Sequence, residues 1–262
     1  MTLHFDREHY RKKYEVDPRY TAGADDFDNE YSLRNDAQGL YFETERMRLL
    51  FSLLNRQRIG LAGKRILDAG CNYGFYTSLF AYLRRDPTDV YGVDFIKSNI
   101  DTAKVIHPSI AYDQQDLYEG LRFEDESFDF VLVNYVMSCI TERRAEVFAE
   151  LEAKVKPGGH ILFFGFFGDF EVNWVDLVEG ALRLQMPLAY AQRKKLRNMR
   201  MDTYPACSKA EMSAMMKRCE IIDYGTMRLP KPTLKYKWKE FLATICKGYK
   251  IDRYCAILMQ KK

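Results

Sequence analysis

The sequence predicts an α/β protein built on a doubly wound, mostly parallel sheet. Three observations carry this. From Lys64 onward, short apolar runs alternate with amphipathic stretches of ten or more residues, the alternation that gives parallel strands joined by right-handed helical crossovers. The first run, Ile66-Leu67-Asp68-Ala69-Gly70, passes straight into a glycine-containing turn. The runs at 128–136 and 160–167 are almost continuously apolar, as strands covered on both faces must be.

The elements follow in order. Residues 6–15 read as a short helix, followed by a polar loop. Residues 37–56 form a longer amphipathic helix, with Leu40, Tyr41, Met47, Leu50, Phe51 and Leu54 at helical spacing. A strand (65–70), a helix (75–85), a strand (89–94) and a helix (97–106) come next, the last stopped by His107-Pro108. Strands at 110–116 and 128–136, a helix at 142–155, a Pro157-Gly158-Gly159 turn and a strand at 160–167 complete the alternation. After Gly168 the alternation stops. Residues 169–200 read as mostly helical and end in the basic group Arg193, Lys194, Lys195, Arg197 and Arg200. Ser208, with Glu211 three residues on, makes a capping box for a helix to Arg218. Residues 220–229 and 252–260 read as strands that close the sheet as a hairpin-like pair, with a helix in the Lys- and Tyr-rich stretch between them.

Composition limits the function. A chain of 262 residues, 47% hydrophobic and 29% charged, buries a core without staples and is not disordered. Forty Lys and Arg against 37 Asp and Glu leave +3, which requires neither a nucleic-acid nor a membrane partner. The six cysteines contain no C-x-x-C, so no zinc knuckle or dithiol pair is expected, and reduced thiols in a cytoplasm are the simplest reading. The polar, charged start MTLHFDREHYRKKYE does not read as a secretory signal. The apolar runs are too short to span a bilayer.

The chemistry concentrates in Ile66-Leu67-Asp68-Ala69-Gly70-Cys71-Asn72-Tyr73-Gly74-Phe75. A strand delivers a carboxylate, a turn lets a ligand approach bare backbone, and a helix begins. Asn72 stands where a glycine is often found, and Asn is among the residues that best tolerate a left-handed backbone. The dinucleotide fingerprint Gly-x-Gly-x-x-Gly is absent. Asp68 would repel a pyrophosphate and attract a cationic group such as an ammonium.

This stretch resembles motif I of the class I S-adenosylmethionine-dependent methyltransferases. VYGVDFIKSNI, DQQDLYE, FDFVLVNYVMSCI and VKPGGHILFFGF resemble the next four strands of that superfamily, in the right order. The resemblance covers about residues 64–167 and departs from the pattern at Asn72. It implies a Rossmann-like, seven-stranded, mostly parallel sheet with N-terminal helices and a helical cap inserted after the fifth strand. The chain then divides into an N-terminal helical lid (1–60), a cofactor-binding core (61–168), a cap (169–205) and a completion of the sheet (206–262). The implied cofactor is S-adenosyl-L-methionine, with S-adenosyl-L-homocysteine as product. Its site would comprise Asp68, Gly70, Asn72, Tyr73, Gly74 and Asn134, with Asp94 on the ribose hydroxyls, Phe95 and Leu117 against the adenine, and Asp116 near its amino group. Each has a blander reading: Asp68 or Asp94 as a helix cap, Asp116 as a solvated carboxylate, and Phe95 or Leu117 as core.

Methyl transfer is an in-line displacement, so the protein mainly supplies proximity, alignment and desolvation. An acceptor binds beyond the carboxyl ends of the strands. Tyr31, Tyr135, Phe167 and Trp174 are the candidate acceptor contacts, and Tyr135 and Asp169 the candidate catalytic groups. His107 and His160 precede strands and face the opposite edge. The segment Asn134-Tyr135-Val136-Met137 lacks the Asn/Asp-Pro-Pro-Tyr of amino-group methylation on adenine or glutamine, and no Pro-Cys serves cytosine. The expected partner is a small polar acceptor methylated on oxygen or nitrogen, such as a sugar, nucleotide sugar, surface polysaccharide or secondary metabolite. Nucleic acid, a metal and membrane insertion are not expected, and the protein would be a monomer or homodimer. The alternatives are an RNA or protein methyltransferase docking through the basic cap, or a non-catalytic scaffold.

Overall fold

Helix and strand patterning dictates which side of the sheet each segment covers. The computed structural model describes residues 37–137, 140, 143–170, 207–227 and 251–262, with side chains omitted at 37–42, 166–170 and 251–254. Helix α1 (Ala37–Arg56) precedes strand β1 (Ile66–Ala69), helix α2 (Phe75–Arg84), strand β2 (Val90–Asp94), helix α3 (Lys97–Ile106) and strand β3 (Ala111–Gln114). Strand β4 (Phe128–Asn134), helix α4 (Arg144–Lys154) and strand β5 (Val155–Phe170) follow. The two-residue strand β6 (Cys207–Ser208), helix α5 (Lys209–Met215), strand β7 (Cys219–Thr226) and strand β8 (Ile251–Lys261) complete the set.

The sheet runs β3-β2-β1-β4-β5-β8-β7, with β6 paired beside β5. Strands β1 to β6 pair in parallel, and β8 is antiparallel to both β5 and β7. The chain winds outward from β1 to β3, then returns to place β4 on the other side of β1. This reversal opens a crevice at the carboxyl ends of β1 and β4, where ligands bind in such sheets.

Two apolar layers hold the sheet. One face packs on α4 and α5 through Val131, Val133, Phe148, Leu151, Phe163 and Met212. The other packs on α1, α2 and α3 through Leu50, Leu53, Phe80, Ile100, Phe130 and Leu132. Successive residues of β4 thus point to opposite cores, which is why the strand reads as a continuous apolar run. Among the described residues no helix is long and apolar enough to cross a membrane.

Several boundaries move from the sequence expectation. The Pro157-Gly158-Gly159 turn lies inside β5. Val155 pairs with Phe128 and His160 with Phe130, so residues 156–159 loop out of the ladder, with Gly158 at φ 76°. Strand β5 continues to Phe170 instead of ending near Phe167, because its far end still has partners: Phe167 pairs with Cys207, Gly168 with Ser208 and Phe170 with Ile251. Asp169 therefore lies within a strand, not in a helical segment after it. Helix α5 has its capping box, with Ser208 Oγ accepting from Glu211 N–H and Glu211 from Ser208 N–H. It stops at Met215, short of Arg218, whose backbone N–H is drawn instead to buried Glu152 at 2.7 Å. The expected helix at 6–15, most of the cap, the basic group at 193–200 and the stretch 230–250 lie outside the described residues.

Ser208→Ala removes the hydroxyl arm of the capping box, leaving the backbone N–H of residue 208 to Glu211, and is expected to lower stability by about 1 kcal/mol in urea denaturation, with an unchanged slope.

Candidate functional site at the carboxyl ends of β1 and β4

The turn after β1 is built from alternating left-handed residues. Gly70, Asn72 and Gly74 have φ of 85°, 52° and 80°. A Cβ at Gly70 would fall inside the Val136 side chain, and one at Gly74 would meet the Tyr112 hydroxyl. Both positions therefore need glycine for space as well as conformation. Asn72 adopts the left-handed backbone that its substitution for glycine demands. Its N–H donates to Asp94 Oδ2 at 3.0 Å, tying the turn to the end of β2. Tyr73 is half-buried in the same turn.

Asp68 and Asp94 stand at this turn with different surroundings. Asp68 is 1% exposed. Thr77 on α2 donates to its Oδ2 at 2.7 Å, and Oδ1 has no partner among the described residues. Burial, opposed by the Thr77 hydroxyl and reinforced by neighbouring Asp94, pushes its carboxyl up to about 7. Asp94 accepts from Ile96 N–H at 2.9 Å and Asn99 Nδ2 at 3.3 Å on Oδ1, besides Asn72 on Oδ2. Burial raises it to about 6 against these donors. The capping reading of Asp94 thus holds in part, since it serves the first turn of α3.

The other expected positions divide. Phe95 and Leu117, both half-buried, follow β2 and β3 at the carboxyl edge, and Leu117 also packs against the core. Asp116 Oδ1 accepts from Tyr118 N–H at 2.9 Å, a local turn that engages the carboxylate. Asn134 ends β4 beside Phe164 of β5, and its Oδ1 is buried without a partner. Tyr135 follows with φ 59°, an uncommon conformation for a bulky residue. Tyr31 and Trp174 lie outside the described residues, and Phe167 and Asp169 are placed by backbone alone.

Four groups that sequence reading passed over gather beside Tyr135. Arg46 on α1 is 3% exposed. It pairs with buried Glu43 and lays its guanidinium carbon 4.8 Å from the centre of the Tyr135 ring. Its Nε is buried without a partner. Tyr76 donates to Glu43 at 2.9 Å, and Tyr135 donates to Met227 Sδ at 3.4 Å. Burial raises the Glu43 carboxyl despite Arg46 beside it. In sequence, Glu43 and Arg46 have the spacing of an ordinary solvated helix pair.

A cavity of about 450 Å³, bordered by Arg58, Lys64, Asp129, Gly158 and His160, lies at the amino ends of β4 and β5. It is on the opposite edge from the turn and the two carboxylates, as expected for His160. Among the described residues no three His, Cys, Asp or Glu gather as a metal site.

The fold is that of the class I S-adenosylmethionine-dependent methyltransferases. The crystal structure of such an enzyme from Mesorhizobium loti aligns with a TM-score of 0.52 and 17% identity, over 81% of this chain and 97% of that one. Residues 67–163 match the family model of a methyltransferase domain. It is 33% identical over 131 residues to a phthiotriol/phenolphthiotriol dimycocerosates methyltransferase of Mycobacterium ulcerans, covering 48% of this chain and 46% of that protein. It is 30% identical over 110 residues to a ubiquinone biosynthesis O-methyltransferase of Acinetobacter baylyi, covering 40% and 44%. The chain thus spans less than half the length of these curated relatives.

Asn72→Gly should keep or raise stability, whereas Asn72→Ala should lose about 1 kcal/mol, because alanine in a left-handed backbone is strained. Chemical denaturation of the two variants side by side checks this.

Proposed function

We propose that the protein is an S-adenosylmethionine-dependent methyltransferase that moves a methyl group to an oxygen or nitrogen of a small-molecule acceptor. The observation that carries this is the set of buried polar atoms left unmatched around the carboxyl-edge crevice. Asp68 Oδ1 and Asn134 Oδ1 are acceptors, and Arg46 Nε is a donor. Buried polar groups are costly unless partnered. Two acceptors and a cationic donor complement the ammonium and carboxylate of an amino acid, the group at one end of S-adenosylmethionine. Gly70 and Gly74 let Val136 and Tyr112 pack directly on the turn and fix it beside the crevice. Asp94 has about four lone-pair sites, three of which take protein donors, leaving room for a ribose hydroxyl. Phe95 and Leu117 provide apolar surface for the adenine.

When bound, the cofactor supplies an electrophilic methyl on a sulfonium with a good leaving group. The chain's own task is to hold donor and acceptor in line and keep water away. Tyr135 and Val136, directly after β4, form the wall nearest to the transfer point. Tyr135 is fixed between Arg46 and Met227 and bounds the acceptor space. Oxygen is favoured over nitrogen by the Acinetobacter baylyi relative, whose name specifies an O-methyltransferase. A hydroxyl acceptor needs a base, and Tyr135 and Asp169 are the proposed groups.

Calorimetric titration with S-adenosylmethionine and S-adenosylhomocysteine tests the cofactor assignment. Micromolar binding, abolished in Asp68→Ala, is expected; a folded protein that binds neither compound would sink it. Asp94→Ala should weaken binding by about 1.5–3 kcal/mol, the value of hydrogen bonds to a charged group. An unchanged affinity would move the ribose contact elsewhere.

A further inference from the structure

We propose that Asp68 is a protonated carboxylic acid in the empty site and that it releases this proton to solvent when the cofactor's ammonium enters. The inference deepens the proposed function and rests on its cofactor assignment.

The geometry around Asp68 leaves its negative charge without support. The side chain is 1% exposed, at the end of a strand whose four residues are all buried. Its described support comes from Thr77 alone, through the hydroxyl on Oδ2 and the backbone N–H, and Oδ1 has no partner among the described residues. The titratable groups that face it are Asp94 at the end of β2, Cys71 in the turn and Tyr112 on β3. Asp94 opposes a second negative charge. The Cys71 thiol and Tyr112 hydroxyl are both raised by burial and stay neutral, so they offer no compensation. Among the described residues no cation acts on Asp68, since Arg46 is paired with Glu43. A carboxylate in such a place is expensive, and protonation is the usual escape.

An ammonium against Oδ1 reverses this balance by supplying both a charge and hydrogen-bond donors. The carboxylic O–H bond breaks, its electron pair stays on the carboxylate, and the proton passes to buffer. The ammonium keeps its own protons. Binding should therefore release a proton wherever the empty site holds one. With the Asp68 carboxyl at about 7, release is about nine-tenths of a proton at pH 6.0 and about a quarter at pH 7.5. Affinity should rise about eightfold over the same interval, because below pH 7 the cofactor must first displace the proton. Asp94, raised to about 6, also titrates near the lower pH, so the part that belongs to Asp68 is the part lost in Asp68→Asn.

Calorimetry with S-adenosylhomocysteine, in buffers of different ionisation enthalpy at pH 6.0 and 7.5, counts the protons. The expected wild-type result is release at pH 6.0 that falls at pH 7.5, with tighter binding at the higher pH. Asp68→Asn, which cannot ionise, should abolish most of the release. Thr77→Val removes the hydroxyl donor and should increase release at pH 7.5, because the carboxyl rises further; circular dichroism confirms that both variants are folded. Tight wild-type binding with buffer-independent heat at pH 6.0 overturns the inference while leaving the cofactor assignment intact. Unchanged proton release in Asp68→Asn overturns it too, by placing the proton elsewhere. No binding by folded wild-type protein overturns the cofactor assignment and this inference with it.

Discussion

The hydrogen bond from Asn72 N–H to Asp94 Oδ2 joins the turn after β1 to the end of β2, and much of the site depends on it. Gly70 and Cys71 N–H also donate to Val93 O, and Gly74 N–H to Cys71 O, so this bond completes the fixing of a turn with three left-handed residues in five. The same carboxylate takes Ile96 N–H and so starts α3. One side chain thereby sets the turn, the entry of the following helix and the direction in which the crevice opens. Tyr112 and Val136 press on the two glycines from β3 and from the residues after β4. The turn is thus held from three neighbouring strand ends, and its shape does not need a ligand to form.

Both ends of the sheet hold buried polar groups. At the amino edge two buried lysines are matched: Lys261 Nζ donates to Glu126 and to Val155 O, and Lys154 pairs with Asp125 and Glu150, while Arg65 Nε and Ser127 Oγ have no partner among the described residues. At the carboxyl edge, Asp68, Asn134 and Arg46 each keep an unmatched atom. What sets the carboxyl edge apart is the kind of group left unmatched beside the turn, a carboxylate oxygen, an amide oxygen and a guanidinium donor, which suits a zwitterionic ligand.

The alternation from Lys64 to Phe167 was legible because β1, β2, β4 and β5 are buried on both faces and each helix on one, so period and composition agreed; the edge strand β3, with only Tyr112 buried, is the exception. Helix α1 and helix α3 fall at the residues that their apolar spacing marks. The left-handed Asn72 was also legible, since the residue type itself reports the backbone conformation. The extension of β5 to Phe170 was not, because it depends on partners from β6 and β8 that lie far along the chain. The gathering of Glu43, Arg46 and Tyr76 around Tyr135, itself a candidate in the sequence, was hidden for a related reason. Its members come from α1, α2 and the end of β4, and nothing local distinguishes a buried helix ion pair from a solvated one. Local pattern reports local structure; contacts set by topology require the topology.

Strand β8 lies between β5 and β7, although every other strand among the described residues precedes it in the chain. During synthesis, β5 emerges with its outer edge unpaired and stays so until residues 251–261 have been made. For that interval a long apolar strand offers free backbone groups to any chain nearby, the situation in which nascent proteins misassociate. The position of one strand in the sheet therefore makes the pairing of this edge of β5 a late event, which waits for residues 251–261.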